Sequence, residues 1–107
     1  SADSKWSASL FEQQQTDLDL LYQLRQTYNN FLDSIEKVKV YKSFVEAAKT
    51  RAKIARSKYN TGLLSFENWD IIENDLINKE KVNIQALRDR RIAEAAWMRS
   101  QSKGVFE

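Results

Sequence analysis

The chain has 107 residues, 42% apolar and 30% charged, and its seventeen basic and fifteen acidic side chains leave a net charge of only +2. That length suits one domain, and so small an excess of charge does not steer the molecule toward nucleic acid. Cysteine and histidine are absent, which removes disulfides, thiolate chemistry, the usual general base and the commonest metal ligand.

Proline is also absent, and the two glycines are Gly62 and Gly104. From about Trp6 to Tyr59 nothing breaks a helix, and apolar residues recur as Leu21, Leu24, Tyr28, Phe31, Ile35, Val38, Tyr41, Val45, Ala48, Ala52, Ala55 and Tyr59. Alternating steps of three and four predict a coiled-coil seam, and two successive steps of three around Val38 predict a local stammer. Leu20, Leu32, Val40, Phe44 and Ile54 lie off that series and predict a second apolar flank with a second neighbour. The late residues are small (Ala47, Ala48, Ala52, Ala55), so the helices should approach closely near the turn. Ser9 and Glu12 have the spacing of a capping box, with a start as early as Asp3 or Ser4 left open. Fifty or so helical residues correspond to ~75–80 Å at the usual rise.

The turn is predicted at residues 60–65. Gly62 suits the left-handed position that ends a helix, Ser65 is an N-cap for the next one, and Glu67 complements its dipole. Leu64 and Trp69 have the spacing of a hydrophobic staple. The second helix is predicted from Phe66 to about Ser102, stopped by Gly104, with a stripe of Trp69, Ile72, Leu76, Ile77, Val82, Ile84, Leu87, Ile92, Ala95 and Ala96. The expected fold is therefore all-α: one long antiparallel two-helix hairpin. Its core is thin for its surface, so it should gain stability by packing side by side into a larger helical bundle.

Charge supports the antiparallel arrangement. Lys49, Arg51, Lys53, Arg56 and Lys58 precede the turn without an intervening acid, while Glu67, Asp70, Glu73 and Asp75 follow it. Folding about Gly62 sets Lys58 opposite Glu67, and Lys49 opposite Asp75 or Leu76. The basic run could grip phosphate with Tyr59 stacking, but the acids across the turn answer it. Acid pairs such as Asp17 and Asp19, or Glu73 and Asp75, are two apart on a helix and do not face one another. With no glycine-rich phosphate loop and no pocket-forming fold, the sequence does not read as an enzyme. The acids are too sparse for a calcium loop, and no metal or cofactor is expected. Trp69 and Trp97 read as packing residues, and Trp6 is undecided.

The ordered motif Tyr59-x-x-Gly62-Leu63-x-Ser65, followed by Phe66 and Trp69, resembles the periplasmic tip of the TolC-like outer-membrane efflux protein family. Leu24-Arg25-Gln26-Thr27-Tyr28-Asn29-Asn30 is similar to a segment of the long helix leading to that tip. Glu46-Ala47-Ala48 and Ala55-Arg56 match its later portion, and Ala93-Glu94-Ala95-Ala96-Trp97 with Lys103-Gly104 looks like the end of the returning helix. The resemblance runs from about Leu18 to Gly104. It implies one hairpin of a two-repeat protein, more in keeping with the second repeat. Three protomers of such a protein build an outer-membrane barrel continued as a helical tunnel through the periplasm of a Gram-negative bacterium. It further implies a homotrimer serving multidrug or type I export, with the tip docking a periplasmic adaptor (membrane fusion) protein and, through it, an inner-membrane pump.

By the same resemblance Tyr59, Gly62, Leu63 and Ser65 form the docking tip, and Arg56, Lys58, Glu67 and Asp70 are candidate gate or register contacts. The chain departs from the family at Leu64, where some members carry arginine, and at Asn68, where an acid is common. Gating contacts must then run through other groups, such as Asp70 or Arg56. Two further readings stay open, a cytosolic coiled-coil hairpin that acts as a scaffold and a basic hairpin that grips RNA.

Overall fold

The structure, a computed structural model, describes residues 2–106, with side chains up to residue 103. Two helices account for nearly all of them: α1, Ala2–Asn60, and α2, Phe66–Phe106. No strand occurs among the described residues. The fold is an all-α helical hairpin.

α1 takes the earlier start left open near Asp3, and α2 runs further than its sequence signal predicted. α1 starts at Ala2 with Asp3 in its first turn, so Ser9 lies inside the helix and its capping box does not form. An acid near a helix N-terminus meets the positive end of the dipole, and Asp3 supplies this a full turn and more before Ser9 could. α2 continues through Gly104 to Phe106 rather than stopping before it. Glycine inside a helix costs roughly 1 kcal/mol, too little to end a run that its neighbours favour.

The hairpin divides into two compact units. One spans Asp33–Arg91 and contains the turn; the other joins α1 up to Leu32 with α2 from Ile92.

In the turn-bearing unit, Ser34, Val38, Tyr41, Val45, Ala48, Ala52 and Ala55 of α1 are buried or half-buried. On α2 the inward positions are Trp69, Ile72, Leu76, Lys79, Asn83, Ala86 and Arg90. Both sets alternate steps of three and four, the spacing that keeps one face of a helix against its partner. Ala48, Ala52 and Leu76 form the covered centre, with Ile72 packed against them, and Ala52 is 0% exposed. Val45, Ala55 and Ala86 are also covered. Most of these side chains are alanines. A fully buried Val or Leu contributes ~1.5–3 kcal/mol against about 0.8 for one methylene, so Val45 and Leu76 carry much of a slender core.

In the other unit, Leu20, Leu24, Thr27 and Phe31 are half-buried on α1, and Ala93, Trp97 and Ser100 on α2. The Trp97 ring lies 5.3 Å from Tyr28, tilted, and 5.4 Å from Phe31, stacked. Such aromatic pairs add ~0.5–1.5 kcal/mol beyond area burial. Trp97 is a packing residue, as its place near the end of α2 suggested, whereas Trp6 is exposed.

Along α1 the inward series keeps the three–four rhythm from Leu20 to Ala55 without a slip. The predicted stammer at Val38 disappears because Thr27 takes the inward position that an apolar count assigned to Tyr28, and Ser34 is buried beside a half-buried Ile35. On α2 the correction is larger. Ile77, Val82, Ile84, Leu87 and Ile92 are exposed, while Lys79, Asn83 and Arg90 take inward places. Lys79 and Arg90 can do so because long aliphatic stems cover apolar surface while the charged head reaches water.

A preorganised turn as the candidate functional site

The chain reverses in five residues, and each end of the reversal has its own hydrogen-bonding device. The Leu63 amide donates to the Lys58 carbonyl at 2.8 Å, and the Gly62 amide to the Tyr59 carbonyl at 3.1 Å. This pair of bonds is the Schellman closure, and it requires a left-handed residue at Gly62, whose φ is +76°. Thr61 adds its hydroxyl to the Ser57 and Lys58 carbonyls at 3.2 and 3.1 Å. On the far side the Ser65 hydroxyl accepts from the Asn68 amide at 3.2 Å, and the Ser65 carbonyl accepts the first α2 bond from Trp69 at 3.0 Å. Ser65 is thus the N-cap of α2, worth about 1 kcal/mol.

Side chains reinforce the same reversal. Tyr59 and Trp69 stack with centroids 5.2 Å apart and planes at 20°, and Phe66 tilts onto both at 6.3 and 5.7 Å. Tyr59 keeps 39% of its surface exposed and so serves both packing and surface. Trp69 packs on these two rings, while Leu64 is half-buried and lies with Ile72 along one flank of the hairpin. The Trp69 indole Nε1 and the Asn83 Oδ1 are buried without a hydrogen-bond partner.

Leu63 is different. In a Schellman closure the residue after the glycine usually packs on an apolar residue three or four places from the helix end. Here those places hold Lys58 and Ser57, so Leu63 has no apolar surface to meet and remains 76% exposed. Phe66, beside it, is also largely exposed. The turn therefore presents an aliphatic and an aromatic side chain to solvent on a backbone fixed at both ends.

Of the candidate gate and register residues, Arg56 makes a cross-hairpin contact. Its Nε donates to Glu73 Oε1 at 2.6 Å and its Nη2 to Oε2 at 3.0 Å, a two-pronged ion pair. The hydrogen bonds from Arg56 hold the Glu73 carboxyl below the ordinary glutamate range against a smaller opposing effect of burial, and the guanidinium is raised in return. The cross-hairpin pair is thus Arg56–Glu73 rather than Lys58–Glu67, and Asp75 pairs within α2 with Lys79 at 3.4 Å rather than with Lys49. Lys58, Glu67 and Asp70 are exposed around the turn.

Sequence reasoning missed Phe66 as a surface residue and Tyr59 as a stacking partner of Trp69. The signal was present: across so short a reversal, aromatics seven and ten residues apart come together. No cluster of three or more metal-capable side chains occurs among the described residues, and no helix among them is long and apolar enough to cross a membrane. No protein-family model, curated protein or solved structure matches the chain.

Proposed function

We propose that the chain is a periplasmic tunnel hairpin of a TolC-like outer-membrane export channel, a passive conduit segment whose turn docks a periplasmic adaptor protein. The observation that carries this reading is Leu63, held out to solvent by a turn whose backbone is fixed by Gly62 and Ser65. A preorganised apolar side chain loses little entropy on binding, which favours its use as an anchor. Tyr59 and Phe66 extend the same surface, and Arg56, bonded to Glu73, holds register behind it. The slender core and the outward apolar residues of both helices suit a segment that takes its lateral neighbours from a larger assembly.

The test is Leu63→Asp in the full-length protein. Burial of a leucine at a docking site is worth ~1.5–3 kcal/mol, so adaptor binding should weaken by roughly ten- to a hundredfold. Export should fall with it while the trimer still assembles. Normal export and adaptor binding in that variant would remove the docking reading. The reading frame around the segment supplies an independent check, since it should encode a second hairpin and alternating barrel strands.

A further inference from the structure

Two cations before the turn carry charge that the hairpin itself does not use. Among the described residues Arg51 and Lys58 make no ion pair, whereas Arg56 is held by Glu73 and Lys79 by Asp75. Both are exposed, and both line a groove of about 190 Å³ on one side of the turn-bearing unit, whose other walls are Ile54, Ala55, Leu64 and Ile72. Arg51, Ile54, Ala55 and Lys58 follow at steps that keep them on one face of α1. The cations are thus two turns apart, ~10.5 Å along the helix axis, with aliphatic side chains filling the interval. No acid lines this groove. Leu64, where the chain departs from the family it resembles, supplies the wall at the turn end, so the groove is a feature of this chain. A neighbouring groove of similar size shares Arg51 but also holds Asp75 and Lys79, and there a carboxylate already stands beside the cations.

We propose that the groove between Arg51 and Lys58 binds a linear aliphatic dicarboxylate, one carboxylate at each cation and the methylene chain along Ile54, Leu64 and Ile72. A ligand charged at both ends and apolar between them answers both cations at once. An anion charged at one end leaves the second cation to water. Ile54 keeps 52% of its surface exposed, so a methylene chain laid against it removes apolar area from water. Leu63 does not line the groove, so this site stands or falls separately from docking at the turn.

The 107-residue chain itself tests this, with decanedioate as the probe and the methyl NMR shifts of Ile54, Leu64 and Ile72 as the readout. For a ligand of this size the dissociation constant should be on the order of 1 mM. Decanedioate should bind about two- to fivefold more tightly than decanoate, the increment of one exposed ion pair. Butanedioate, which carries both charges without the span, should give no saturable shift. Arg51→Gln or Lys58→Gln should bring decanedioate down to the level of decanoate, while Lys53→Gln, exposed on another face of α1, should leave binding unchanged. All three positions are surface charges, and circular dichroism checks that each variant keeps its helicity. Equal binding of decanoate and decanedioate overturns the proposal, and so does butanedioate binding at the same strength. A loss in Lys53→Gln as large as in Arg51→Gln, or no saturable shift up to about 10 mM, overturns it too.

Discussion

An alanine at position 62 would meet no other atom within 4 Å, yet the φ of +76° places it where a β-carbon crowds its own backbone. The cost is conformational rather than steric toward neighbours, and amounts to ~1–2 kcal/mol. Gly62→Ala should therefore lower stability by that amount in denaturant unfolding without altering helical content. A cost above that range would mean the glycine also serves a contact that the turn does not show. A second residue-scale expectation concerns Glu73. Its carboxyl titrates below the unfolded value, so the stabilisation from Arg56 is complete above about pH 4.3, the ordinary glutamate pKa. It is lost as pH falls through the lower, folded value. Glu73→Gln should thus differ from the parent near neutrality and converge with it in acid. A gap that stayed constant down to pH 2–3 would separate Glu73 from the ion pair.

The two helices differ in how directly they could be read. α1 was legible as an element, and its later seam of Val45, Ala48, Ala52 and Ala55 was read correctly because apolar residues occupy every inward place there. Earlier on α1, Thr27 and Ser34 sit inward, and a search for apolar residues slid one position to their neighbours. α2 misled further, since Ile77, Ile84 and Ile92 point outward while Lys79, Asn83 and Arg90 fill the seam. Periodicity of apolar residues reports where apolar surface lies, and in a helix with two apolar faces it does not say which face meets the partner. Asn83 makes this testable. Its buried Oδ1 lacks a partner, and such a group costs ~1–3 kcal/mol. Asn83→Leu should raise the thermal midpoint, by ~4–8 °C for each kcal/mol gained. It should also loosen register, since a polar seam residue penalises alternative pairings. A lower midpoint would show that the asparagine is satisfied through a contact its oxygen does not make.

For the molecule as a whole, the hairpin topology followed from a chain without proline and with one internal glycine, because only residues 60–65 could reverse it. The turn was legible in its backbone chemistry, with Gly62 and Ser65 in the roles their residue types prescribe. Its side-chain surface was only half legible. The exposure of Leu63 depends on Lys58 and Ser57 occupying places where a closing helix would offer it an apolar partner, whereas Tyr59 is partly taken up by Trp69. Register was misjudged for a related reason: several cations and acids flank the turn, and residue type alone does not choose Arg56 over Lys58.

The uninterrupted alternation of inward residues on α1 governs how the chain could change in length. Each residue inserted into a helix turns everything beyond it by about 100°. With no slip in the series to absorb the rotation, one added residue would carry the alanine face away from Leu76. Seven residues bring the face back nearly into place, the remainder being taken up by slight supercoiling. Lengthening or shortening is thus tolerated in steps of a heptad, made in both helices at matching distances from the turn. Hairpins built to this pattern form a discrete series of sizes, all ending in the same turn.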